Sequence, residues 1–227
     1  MSKSEGKKGV FINVEAIVSK ITQFFEKNSK IVYWIVGTIA VLVIGYFGVK
    51  YLYIEPQEKE ASAEMFFAQR YFENDSLNAA LNGDGQHLGF IDIIDNYGIT
   101  KQANLAHYYA GLSYLKSGQF DQAIEYLSGF SASEPLVYIL SHQALGDAYL
   151  EVGDVDKAIA TYLKGAKKYQ NDYFTPQLLF RAGIVYESVK SYGKALDIFK
   201  QIREKYPQSQ EARDMDKYIA ECEAALE

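Results

Sequence analysis

The chain has one cysteine, Cys222, and three histidines, His87, His107 and His142, among its 227 residues. A lone thiol excludes an internal disulfide, and it leaves too little sulfur for a thiolate zinc or iron–sulfur site. Proline is scarce as well, with four in the whole chain, so a polyproline linker protein is excluded and helices are favoured. Basic side chains thin out after the first fifty positions. Residues 1 to 30 hold six lysines against three glutamates and Lys50 adds one more charge. With the whole chain at −6 and these fifty residues at +4, the remainder carries −10. Direct binding to duplex nucleic acid needs cations to displace phosphate counterions, so an acidic body argues against it.

Hydrophobic content is ordinary at 48%, but it is unevenly placed. Residues 31 to 49, IVYWIVGTIAVLVIGYFGV, contain no charge, and at 1.5 Å per residue they reach about 28 Å, close to the hydrocarbon thickness of a bilayer. Tyr33 and Trp34 stand at one end and Tyr46, Tyr51 and Tyr53 at the other, where amphipathic rings favour the two interfaces. Gly37, Gly45 and Gly48 allow close helix contact, yet none forms G-x-x-x-G. A single membrane helix over 31–54 is expected, retained in the mature chain because no small-x-small cleavage site follows it. Lysines ahead of the run and acid behind it predict a cytoplasmic tail, residues 1–30, and an extracytoplasmic domain, residues 55–227. Within the tail, Val14, Ile17, Val18, Ile21, Phe24 and Phe25 recur at helical spacing, which predicts a short amphipathic helix for a membrane surface or a partner.

Three later stretches repeat one pattern: AGLSYLKSGQFDQAIEYL at 110–127, LGDAYLEVGDVDKAIATYL at 145–163 and AGIVYESVKSYGKALDIF at 182–199. Gly111, Gly146 and Gly183 align at intervals of 35 and 37 residues, in the range of helical-pair repeats. A tyrosine follows each by three (Tyr114, Tyr149, Tyr186). Ala123, Ala158 and Ala195 occupy one later position, and Leu127, Tyr162 and Phe199 another. Small residues let two helices approach while large ones fill the space between pairs. Gly118 and Gly153 suit left-handed helix ends, with Asp121, Asp154 or Asp156 as caps for the second helix. Lys190 stands where the third unit should have glycine, which predicts strain or a different turn. Pro135 and Pro207 are expected to close the first and third units.

These residues resemble the tetratricopeptide repeat, which implies an all-α solenoid of stacked hairpins. Repeats are expected at 104–137, 139–172 and 176–209, preceded by a degenerate unit at 60–100 that is interrupted by NGDGQHLG, 82–89. A capping helix, 210–227, is expected to bury Met215, Ile219, Cys222 and Leu226. The order of tail, span and acidic repeat domain resembles the YfgM-type family of bacterial membrane-anchored tetratricopeptide proteins. That resemblance implies a single-pass inner-membrane protein with a periplasmic domain and no cofactor. It further implies a non-enzymatic accessory of a SecYEG-type channel, with partners among exported chains and a periplasmic chaperone or prolyl isomerase. A scaffold for cell-envelope biogenesis or division is the alternative.

Candidate chemistry is thin. Ser113 and Lys116 form an isolated S-x-x-K within a repeat helix, without the companion motifs of a serine–lysine nucleophile. His107 and His142 stand 35 residues apart at equivalent positions, which architecture explains better than metal ligation. Asp92 and Asp95 share a helical face that is expected to be solvated, and His87 has no assigned role. Binding is the expected use, on a concave face of first helices holding Tyr108, Leu112, Leu115 and Lys116, then Gln143, Asp147 and Glu151, then Phe180, Ile184 and Glu187. Lys116 is nearly the only cation there. Capture of a carboxylate by clustered basic residues is therefore disfavoured, and segments carrying apolar and basic groups fit better.

Overall fold

The computed structural model describes residues 14–227, with backbone only for residues 14–17, 20, 21 and 25. Every regular element among the described residues is helical. The chain divides into two compact units between Glu55 and Pro56.

In the first unit, α1 spans Val14–Lys27 and α2 spans Ser29–Val49, followed by a π-helical stretch Lys50–Ile54. Asn28 separates the two helices at φ −114°, ψ 23°, and its side-chain amide donates to the Phe24 carbonyl at 3.0 Å. No residue of α2 is buried, and Trp34 is 78% exposed. The helix Ser29–Glu73 that contains it is long and apolar enough to cross a membrane. Around Gly37, Gly45 and Gly48 a side chain would meet nothing.

The second unit begins with α3, Glu55–Glu73, and two short helices, α4 (Leu77–Asn82) and α5 (Phe90–Asn96). Three hairpins follow: α6 (Lys101–Lys116) with α7 (Phe120–Gly129), α8 (Pro135–Glu151) with α9 (Val155–Lys168), and α10 (Phe174–Ser188) with α11 (Tyr192–Lys205). A 3₁₀ turn, Glu211–Asp214, leads into α12, Met215–Leu226, which packs on α11. Thr100 caps α6 by accepting from the Ala103 N–H at 3.0 Å, and Asp154 caps α9 by accepting from the Lys157 N–H at 3.3 Å. Asp121 does not cap: it lies in the first turn of α7, whose cap position is Gln119. Nor does Pro135 close a unit. It is the first residue of α8, where a missing N–H is harmless and the fixed φ suits the helix.

The repeated glycines have a direct physical cause. A Cβ on Gly111 would lie 2.5 Å from Leu127 Cγ, on Gly146 2.4 Å from Tyr162 Cε1, and on Gly183 2.5 Å from Phe199 Cε1. In each hairpin the large residue sixteen positions later sits against the glycine backbone, so the sequence period is a packing period. The turns obey the same logic, since Gly118 and Gly153 take φ of +72° and +79°. Lys190 takes φ +59° at the equivalent place, so the turn is built alike and the lysine bears the steric cost.

Two apolar clusters run through this unit. One joins Met65, Ala68, Phe90, Ile93, Ala106 and Ala110; the other extends from Tyr138 and Ile139 through Tyr162 and Phe199 to Met215, Ile219 and Cys222. Leu226 is not part of the cap's buried face, being 55% exposed at the last turn of α12.

The segment between α4 and α5 is tightly held. Asp84 accepts from the Gln86 and His87 N–H groups, both at 2.8 Å, and from the Tyr71 hydroxyl at 2.7 Å. Glu64 of α3 accepts from the Leu88 N–H at 2.8 Å, and the His87 ring stacks on Phe67 at 3.5 Å between centroids. The backbone N–H of His87 is the main cause that lowers the Asp84 carboxyl to a pKa of about 2, followed by the Tyr71 hydroxyl.

Candidate functional site

Two grooves border the first helices of the hairpins, α6, α8 and α10. The larger, about 520 Å³, is lined by Ile99, Lys101, Asn104 and Leu105 at the start of α6, by Phe130 to Glu134 after α7, and by Val137 of α8. Asn104 closes its floor: its amide donates to the Ser131 carbonyl and its carbonyl accepts from the Ser131 N–H, both at 2.9 Å. Tyr108 borders this groove through ring contact with Phe130 at 5.3 Å, and burial pushes its phenol pKa up. Leu112 and Leu115 are partly exposed on the same helix. Lys116 is engaged elsewhere, pairing with Asp75 at 2.6 Å and lying over the Phe72 ring at 5.1 Å.

The second groove, about 420 Å³, has Leu150 of α8, Tyr162 of α9 and Glu211 of the 3₁₀ turn around a row from α10: Gln177, Phe180, Arg181, Ile184 and Val185. Its floor is fixed by Asp147, which accepts from the Tyr162 hydroxyl at 2.6 Å and from Arg181 Nη1 at 2.7 Å. One carboxylate thereby ties α8, α9 and α10 together. Burial dominates its electrostatics and raises the Asp147 pKa, against the opposing pull of Tyr162 and Arg181. Burial and the bond to Asp147 push the Tyr162 phenol up as well. Arg181 is thus neutralised in place rather than offered to solvent as a free cation.

Acidic side chains stand at this groove beside the paired Arg181, whose side chain is 42% exposed. Glu151 is exposed at the end of α8, and Glu211 forms part of the wall. Glu187 is held above its ordinary carboxylate value first by burial and then by Glu221 on α12. Phe180 is anchored from behind by Tyr218, 5.2 Å between centroids, and by Phe199 at 6.2 Å.

Of the ten expected binding residues, Phe180 and Ile184 line the second groove directly, and Asp147 supports it. Gln143 is partly exposed on α8 and lines neither groove. Expectation missed Leu150, Gln177 and Arg181. Leu150 stands four residues after Gly146, as Leu115 and Glu187 stand four after their glycines, so strict register would have chosen it over Glu151. Gln177 aligns with Leu105 of the first groove by the same count.

The candidate chemical groups are used structurally. Ser113 is buried and donates to the Tyr109 carbonyl at 2.8 Å, while Lys116 holds Asp75. The His107 imidazole fills the space over Gly129, whereas the space over Gly165 is taken by the His142 Cβ and Leu178 Cδ1, both 2.8 Å from where a Cβ would lie, so each histidine packs on a second-helix glycine. Burial lowers both histidine pKa values. The His142 Nδ1 lies 2.9 Å from the Tyr138 carbonyl, whereas the His107 Nδ1 is buried without a partner.

Comparison with known proteins agrees with this geometry. Family models described as tetratricopeptide repeat match residues 105–135 and residues 144–210. The matched segments take in most of the first hairpin and all of α9, α10 and α11. No curated protein matches the chain. Tetratricopeptide repeats imply a protein–protein interaction role.

Proposed function

We propose that the chain is a membrane-anchored interaction protein whose α2 spans the bacterial inner membrane once, with α1 in the cytoplasm and the helical array in the periplasm. Its partners are protein segments that lie along the α6, α8 and α10 face. The observation that carries this reading is the groove between α8 and α10, with a preformed apolar floor, a neutralised Arg181 and an acidic rim. Such a surface suits an apolar side chain seated over Phe180 and Ile184, with lysine or arginine nearby for Glu187 and Glu211.

The order of parts, a lysine-containing tail, one apolar helix and an acidic tetratricopeptide array, supports the narrower assignment to an accessory of a SecYEG-type channel. In that role the array receives exported polypeptides or docks a periplasmic chaperone or prolyl isomerase. The chemistry is recognition, not reaction. Photo-crosslinking from Leu150 or Glu187 in intact membranes is expected to recover channel subunits, exported chains or a periplasmic chaperone. Recovery of cytosolic proteins alone would refute the topology, and recovery of division or outer-membrane machinery would replace the translocon with an envelope scaffold.

A further inference from the structure

The function proposed for the array draws on its grooves and leaves the helix ends unassigned. A series of contacts runs along the edge where the first helices begin. Glu58, in the first turn of α3, accepts from the Lys101 N–H at the start of α6 at 2.8 Å, and Asn104 holds Ser131 ahead of α8 at 2.9 Å. At the start of α8 the Tyr138 ring meets Tyr169 at the end of α9, 5.2 Å between centroids. Asn171 Oδ1 then accepts from the Tyr173 and Phe174 N–H groups at 3.0 and 2.7 Å. On this edge stand Ile99, Leu136 and Tyr173, which are 56%, 48% and 68% exposed. They recur at intervals of 37 residues, one at the start of each first helix. Single exposed apolar side chains are ordinary, but three in register along one rigid border form a ridge.

The place of this edge in the chain indicates what covers it. Ile54 ends the π-helical stretch after α2, and Glu58 follows four residues later, at most about 14 Å of extended chain. At any angle between the two units, the edge that Glu58 joins is tethered close to the end of the apolar helix. A surface held so near a bilayer meets it at high effective concentration, so weak intrinsic affinity suffices. The chemistry of the edge agrees. Tyrosine and apolar side chains favour the membrane interface, and lysine reaches the headgroups over its apolar stem. At the helix ends Lys101, Lys167, Lys168 and Lys205 are exposed beside Glu134, Asp172 and Glu204, so this edge is close to charge balance while the sequence after Lys50 carries −10. The hairpin turns at the other end expose Val152 at 41% and Val189 at 45%, but the 17 residues of α8 put them about 25 Å away. We propose that the edge bearing Ile99, Leu136 and Tyr173 rests on the surface of the bilayer that α2 crosses, with its lysines at the lipid phosphates. This rests on α2 spanning that bilayer, and it is independent of what the grooves bind.

The test uses the full chain, without any other protein, in nanodiscs of phosphatidylcholine and phosphatidylglycerol, with or without a lipid that carries a nitroxide at its headgroup. An environment-sensitive dye is placed by Leu136→Cys or Tyr173→Cys, and at the opposite edge by Val152→Cys or Val189→Cys, with the wild-type chain as a blank because Cys222 is buried. Dyes at 136 and 173 are expected to shift to the blue, resist acrylamide and be quenched by the nitroxide lipid, while dyes at 152 and 189 stay as they are in water. Lys167→Gln and Lys205→Gln should each lower the ratio of docked to undocked chain about fivefold. Equal responses at the two edges would overturn the proposal. Protection at 136 and 173 without quenching by the nitroxide lipid would overturn it too, and would assign the edge to a second copy of the chain. Comigration of the chain with the discs is read separately. Its failure would remove the span, and with it the tether on which the proposal depends, whereas comigration with equal responses would sink the docking alone.

Discussion

Replacing Gly146 by alanine tests the packing logic of the repeats at its tightest point. The added Cβ would lie 2.4 Å from Tyr162 Cε1, 2.6 Å from Cδ1 and 2.9 Å from Cζ. Favourable carbon contacts begin near ~3.5 Å, so helix and ring must separate by about 1 Å. Tyr162 cannot easily give way, because it is 1% exposed and its hydroxyl is tied to Asp147 at 2.6 Å. Overpacking of this kind costs ~1–3 kcal/mol, and strain on the hydrogen bond adds ~1 kcal/mol. Alanine returns up to ~1 kcal/mol through its higher helix propensity. The net expectation is a loss of ~1–3 kcal/mol. Urea unfolding of the full chain in detergent, followed by circular dichroism, reads this as a lower midpoint. Tyr162→Leu in the Gly146→Ala background should cost less than the sum of the two single changes, because the shorter side chain vacates the space the methyl needs. A Gly146→Ala chain as stable as the parent, or more stable, would refute the reasoning.

The turn residues give a paired prediction: Lys190→Gly should stabilise the chain by ~1 kcal/mol and Gly153→Ala should destabilise it by a similar amount, since both positions take left-handed φ. Opposite shifts in thermal midpoint check this. Asp147 has a folded pKa raised by burial, so the linkage runs against the charged form: its favourable contribution is present at pH below the unfolded value and is lost as pH rises through the folded one. The stability of Asp147→Asn relative to the parent should therefore improve from acid toward neutral pH, measured by unfolding at each pH. Asp84 runs the other way, since its pKa is lowered to about 2, and its contribution is present above the ordinary value of 3.8 and lost as pH falls through about 2. Amide exchange at Gln86 and His87 should accelerate in Asp84→Ala at neutral pH, and in the parent only at strongly acid pH. At the proposed binding face, paired reversal by Glu187→Lys and Glu211→Lys should abolish capture of basic apolar segments while leaving the circular dichroism spectrum unchanged.

The hairpins were legible in the sequence because their cause is local and periodic. A glycine that receives a large side chain sixteen positions later leaves a mark in every unit, and Gly118 and Gly153 mark the turns that require positive φ. Lys190 shows the limit of that reading, because the residue type changed while the backbone did not. The grooves were less visible, since they depend on which side chains of neighbouring helices meet. Arg181 carries no motif, and its role appears only when Asp147, 34 positions earlier, lies within hydrogen-bond reach. Lys116 misled for the same reason: its pattern suggested a free cation, but Asp75, in the turn between α3 and α4, holds it. The strap over residues 83–89 was legible as a loop from its glycines, whereas the Glu64 and Tyr71 contacts that fix it come from a separate helix.

The most direct test of the proposed anchoring and outward orientation of the array is protease added to right-side-out inner-membrane vesicles. Cleavage within the helical array, with the lysine-containing first thirty residues protected, is the predicted result. Loss of that N-terminal segment while the array survives intact would contradict the account.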